Sequence, residues 1–197
     1  LCIASPKRVR SVLILSKVPP EDIRSLALDT SSRSSVVLGQ ILLRERYGTA
    51  PEVHVMGPDL PAMLEAHDAA LVIGDPAMRA PKAGLITLDL AEEWHAWTGL
   101  PFVFALWTVR EDAPELPVPG GVGPFFHRSL ELGQEHLGTI VDEAWRTIGW
   151  TKLELREYLT QNISYHLGDA ERESLNLFYE KALRQGFAPE AKPLRML

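Results

Sequence analysis

Cysteine occurs once in the 197 residues, at Cys2. An internal disulfide is therefore excluded, and such sparing use of thiols fits a reducing compartment, so a cytoplasmic protein is expected. With no histidine beside it, Cys2 reads as a small core residue rather than a nucleophile. Long apolar runs are missing too: the longest cover 12–15, 69–73 and 101–107, far short of the ~20 residues of a membrane span. Basic tracts are equally scarce. Nothing exceeds Lys7-Arg8-Val9-Arg10, and the net charge is −6, so neither nucleic acid nor a membrane is an expected partner. Those three cations read as a solvated loop. No phosphate-binding G-x-x-x-x-G-K, nucleophile-elbow G-x-S-x-G or dinucleotide G-x-G-x-x-G motif is present. The six histidines include no i, i+4 pair, so no metal site is expected. No charged segment followed by an apolar one opens the chain, and no signal peptide is expected.

What is present is the composition of a globular protein, 46% hydrophobic and 23% charged. A chain of this size buries roughly 70% of its unfolded surface. Short apolar or β-branched runs at 12–15, 25–28, 52–56, 69–73, 85–88 and 102–109 predict strands. Between them, the spacing of Val37, Leu38, Ile41 and Leu42 predicts a helix over 36–47, ended by Gly48. Shorter helices are predicted over 59–67 and 91–97. This β/α alternation implies a mostly parallel sheet with helices on both faces. The prolines and glycines of 111–123 mark a loop. Only helices are predicted beyond it, over 124–148, 152–162 and 169–185, the last with Asp169 as N-cap. Their apolar faces, among them Phe125, Leu137, Val141, Trp145, Leu175 and Phe178, call for a packing partner, expected to be a second lobe only partly present.

Three places invite chemistry. The run Thr30, Ser31, Ser32, Arg33, Ser34, Ser35 holds five hydroxyls in six positions, between a strand and a helix. Free N–H groups and the positive end of the helix dipole suit a carboxylate or phosphate there, although a single serine would suffice as an N-cap. Gly74-Asp75-Pro76 closes the next strand, at the sheet end where ligands of open α/β sheets bind; its simpler reading is a strand-to-helix turn capped by Asp75. The cluster of Trp94, Trp97, Trp107, Phe102 and Phe104 reads as core rather than a stacking wall.

Several stretches, taken in order, resemble the chorismate dehydratase family of the futalosine route to menaquinone. They are Val9-Arg10-Ser11-Val12, Ser16-Lys17-Val18-Pro19 and Leu28 through Val36. Two more follow, Leu71-Val72-Ile73-Gly74-Asp75-Pro76-Ala77 and Trp94-His95-Ala96-Trp97-Thr98-Gly99-Leu100-Pro101-Phe102 with its continuation to Trp107. The resemblance implies an α/β fold of two lobes, similar to type 2 periplasmic binding proteins, with a parallel-rich sheet lobe, a helical C-terminal part and the ligand between lobes. It implies that 1–16 ends lobe one and crosses over, that 17–108 is lobe two, and that 109–197 returns to lobe one. The strands at 11–16 and 102–109 resemble the two crossings. The family's N-terminal part, with its active-site asparagine, has no counterpart here and is expected to lie outside this chain.

The same resemblance implies a hydro-lyase that converts the dianion chorismate to 3-[(1-carboxyvinyl)oxy]benzoate without a cofactor. It implies that Ser11 is the catalytic serine. Thr30, Ser31, Ser32, Ser34 and Ser35 would hold a substrate carboxylate, with Gly74 and Asp75 lining the same cleft. Two other functions compete with it: a non-catalytic small-anion binding module of this fold, and the related naphthoate-forming enzyme of the pathway.

Overall fold

A computed structural model describes residues 1–29, 31–110, 112, 118 and 120–189. Among the described residues, seven strands form two sheets. β1 (Cys2–Ser5) and β7 (Phe102–Leu106) make an antiparallel ribbon. The other five are β2 (Val12–Ser16), β3 (Ser25–Asp29), β4 (Glu52–Met56), β5 (Ala69–Ile73) and β6 (Ile86–Asp89). They lie side by side in the order β4-β3-β5-β2-β6. β3 runs parallel to β4 and β5, whereas β2 runs antiparallel to both β5 and β6. The sheet is thus parallel-rich but mixed: β2 enters from the ribbon at the edge where its neighbours end. All five β2 residues are buried, as a strand covered on both faces requires.

Helices do cover both faces. On one, α1 (Arg33–Glu45) and α4 (Leu90–Thr98) pack Leu38, Ile41, Leu42, Leu90 and Trp94 on Ile14, Leu26 and Leu71. On the other, α2 (Leu60–Ala66) and α3 (Gly74–Arg79) pack Leu60, Met63 and Ala77 on Leu13, Leu15 and Val72. α1 lies close on the sheet because Gly39 has no side chain: a Cβ there would meet Leu71 Cδ1 at 2.7 Å. Trp94 is fully buried, edge-on to Trp97, Phe102 and Phe178, and its indole N–H donates to Ser174 Oγ at 3.0 Å. The aromatic cluster is therefore core, apart from the half-exposed Trp107. Cys2 is buried with its thiol on the carbonyl of His166, and burial raises its pKa to about 11. It is not poised as a nucleophile.

The helical part departs from expectation in three ways. The helix expected over 124–148 is two, α5 (Val122–Glu135) and α6 (Leu137–Ile148), separated at His136 (φ −102°, ψ 16°). The break turns Val141 of α6 toward Met78 and Leu155, and Gly133 and Gly138 on either side weaken the case for a continuous helix. The expected 152–162 helix is α7 (Lys152–Glu157) followed by one π-helical turn, Tyr158–Asn162, which carries a hydrogen bond from Ile163 N–H to Tyr158 C=O. Gly168, not Asp169, caps α8 (Asp169–Arg184). The helical part also finds partners within this chain. Phe178 and Ala182 of α8 join the main core, and α6 and α7 pack on Met78 of α3. Among the α-helices of the described residues, α5 has no buried residue. The loop expected over 111–123 falls mostly outside the described residues.

Candidate active site

The sheet order brings one end of each central strand to a common edge. Asp29 ends β3, Ile73 ends β5, Val12 begins β2 opposite Ile73, and Asp89 ends β6 opposite Leu13. Ser11, Ser31 to Ser35, Gly74 and Asp75 follow or precede those ends directly, so residues far apart in sequence share one rim. Thr30 lies outside the described residues.

Ser11 is nearly buried at 4% exposure and held from several sides. Its carbonyl accepts from the Gly74 N–H at 2.7 Å, and its Oγ lies 2.9 Å from the Tyr158 phenol oxygen. Gly74 sits at φ +61°, a backbone conformation glycine adopts without strain. Arg10 also takes a positive φ, 65°, which costs a non-glycine residue of order 1 kcal/mol. Two bonds to one carboxylate offset that cost: Val9 N–H and Arg10 N–H donate to Asp89 at 3.1 and 2.6 Å. The same carboxylate caps α4, accepting from Ala91 and Glu92 N–H. Asp89 therefore fixes both the approach to Ser11 and the start of α4, at 4% exposure.

The hydroxyl run divides its tasks. Ser32 is the α1 N-cap, accepting from Ser35 N–H at 3.2 Å, and its hydroxyl donates to Ser35 Oγ at 2.9 Å. Ser35 is buried. Ser34 donates to the Phe104 carbonyl at 2.7 Å and so ties α1 to β7. Ser31 N–H donates to Asp29 Oδ1 at 2.9 Å, which leaves the Ser31 side chain exposed on the rim. The remaining N–H groups of the first turn of α1 have no intrahelical acceptor and point along the positive end of the dipole. At α3, Asp75 pairs with Arg79 at 2.8 Å, both about half exposed.

Sequence reasoning missed four contributors. Tyr158 comes from the π-helical turn, a distortion frequent at functional sites but invisible in a stretch that reads as ordinary helix. Burial above all holds its phenol above the ordinary value, opposed by the bond to Ser11 and aided by the charges of Asp75 and Asp89; it stays protonated. Arg10 is not the solvated loop residue expected: its guanidinium lies 4.2 Å above the Trp150 ring and 3.4 Å from Glu154. The pKa of the exposed Lys82 is lowered by partial desolvation, then by the charges of Arg10 and Arg8, with Asp89 opposing. Arg8 and Arg10 are paired at this end of the rim, Arg8 with Asp89 and Glu92 and Arg10 with Glu154 and Glu157. Asp89 was the most readable of the four, an acidic residue immediately before an amphipathic helix. Among the described residues no cluster of histidine, cysteine or carboxylate side chains is arranged to hold a metal, and no helix is long and apolar enough to cross a membrane.

The fold belongs to the periplasmic-binding-protein-like class. It superposes on the periplasmic aliphatic sulphonate binding protein of Escherichia coli with a TM-score of 0.54 at 16% identity, over all of this chain and 72% of that one. A solved protein of Archaeoglobus fulgidus is nearer, with a TM-score of 0.72 at 20% identity over 94% of this chain and 71% of that one. In sequence, the family described as menaquinone biosynthesis matches residues 1–184. A chorismate dehydratase of Thermus thermophilus is 32% identical, over 94% of this chain and 72% of its own length. The chain belongs to that menaquinone biosynthesis family.

Proposed function

We infer that this chain is a hydro-lyase that removes water from chorismate to give 3-[(1-carboxyvinyl)oxy]benzoate, a step of menaquinone biosynthesis by the futalosine route. The observation that carries the reading is the 32% identity to a chorismate dehydratase across nearly the whole chain. The rim supports it chemically. Chorismate is a dianion with an allylic hydroxyl on a cyclohexadiene ring. Loss of that hydroxyl and a ring hydrogen makes the ring aromatic, so the driving force resides in the substrate. What remains for the protein is to orient two carboxylates and help the hydroxyl leave.

In this reading the first turn of α1, with Thr30, Ser31, Ser32, Ser34 and Ser35, takes one carboxylate through N–H groups, a hydroxyl and the helix dipole. Gly74 and Asp75 form the floor beside Ser11. The Ser11 hydroxyl donates to the departing oxygen or an adjacent carboxylate, and a carboxylate of the substrate itself takes the ring proton. The reaction as written needs no cofactor. Residues 1–16 end one lobe and cross over, 17–108 form the second, and 109–197 return to the first, with the substrate between them; the site is cytoplasmic. Proton NMR of chorismate incubated with the full-length protein tests the reading. The ring's sp³ proton signals should give way to aromatic ones. Chorismate that binds unchanged would leave an anion-binding module, and chorismate that neither binds nor reacts would remove the assignment.

A further inference from the structure

Ser11 and Tyr158 are 147 positions apart, yet their hydroxyl oxygens lie 2.9 Å apart in a part-buried contact. Residues 10 and 11 grip the C-terminal helices together. Arg10 stacks on Trp150, Trp150 meets Tyr158 edge-on at 5.7 Å, and Tyr158 meets Ser11. The indole N–H of Trp150 donates to the Met78 carbonyl of α3 at 2.8 Å, so this group is anchored to the element that follows Gly74. The π-helical turn sets Tyr158 at its first position.

We propose that Tyr158 is a positioning residue for the dehydration, acting through Ser11; the proposal rests on the chorismate reading above. Either oxygen in the pair can donate, but a phenol is far more acidic than an aliphatic alcohol and is the better donor. Tyr158 O–H therefore donates to Ser11 Oγ, which leaves the single Ser11 proton directed at the rim. Without the phenol oxygen, nothing fixes the Ser11 rotor, and its proton is aimed at the substrate only part of the time. Orientation affects the chemical step more than ground-state binding.

The experiment is a cycle of Y158F, S11A and Y158F/S11A in the full-length protein, with kcat and KM measured on chorismate. Y158F keeps the ring that packs on Trp150, and its melting temperature is measured alongside. The expected result is kcat about tenfold lower in Y158F with KM within about twofold of wild type. In the S11A background, Y158F should cause no further loss. Should S11A leave no measurable turnover, the split between kcat and KM decides. Wild-type kinetics in Y158F, a loss expressed only in KM, or an equal loss in both backgrounds would overturn the proposal. A wild-type protein that leaves chorismate unchanged would instead remove the dehydration reading, and this inference with it.

Discussion

At the residue scale, the most consequential carboxylate is Asp89, which accepts from Val9, Arg10, Ala91 and Glu92 N–H. Asp89→Ala leaves several of those donors without a partner in a nearly buried place. The expected loss of stability is about 2–4 kcal/mol. Asp89→Asn keeps one acceptor oxygen and should lose clearly less. Urea denaturation of the three proteins orders them wild type, Asn, Ala; equal stability of Ala and wild type would mean that the Arg10 backbone needs no such support. The rim was partly legible at this scale. The hydroxyl run and Gly74 stand out in local pattern, as a helix start and a strand end, whereas Ser11 stands out only through the family resemblance. Tyr158 and Arg10 were not singled out, because their roles arise from contacts across more than 140 positions, which no local pattern encodes.

At the element scale, α1 is pressed on the sheet at Gly39, where a Cβ would stand 2.7 Å from Leu71 Cδ1 and 3.4 Å from Ile14 Cδ1. Gly39→Val forces two more carbons into that space and should destabilise the fold by about 1–3 kcal/mol, read by thermal melting. A neutral or stabilising effect would show that α1 lies less closely than described. The opposite end of the sheet is tied by Asp68, whose carboxyl is held below the usual range chiefly by Arg24 N–H, with Ser25 N–H and hydroxyl adding to it. A depressed folded pKa means this contribution is complete above the unfolded value near 4 and is lost as pH falls through the folded one. The stability gap between wild type and Asp68→Asn should therefore be full at pH 6 and shrink toward pH 3 in urea titrations; a gap independent of pH would contradict the assignment. β4 and β5 were read from sequence with their observed bounds, since β-branched runs between turn residues leave little choice. β1 was not read, because it is four residues long and is held by β7 and Ser164, both distant in the chain. Gly74-Asp75-Pro76 reads as a strand-to-helix turn, and the helix α3 begins at Gly74 itself, held by the buried Ala77 and Met78.

At the scale of the whole molecule, the alternating pattern predicted helices on both faces of a parallel-rich sheet, and the structure has them. It did not reveal that β2 runs against its neighbours, because a run buried on both faces looks the same in either direction. That reversal is what brings Ser11 to the rim where β3, β5 and β6 end, and so gives the site its composition. The central claim is that this rim dehydrates chorismate with Ser11 as a reacting-site donor. The most direct test is mass spectrometry of chorismate after incubation with the full-length protein and with its Ser11→Ala variant at matched concentration. The account predicts a product lighter by one water with the wild type, formed about 100-fold more slowly by the variant. Equal rates for the two proteins, or unchanged chorismate with both, would contradict it.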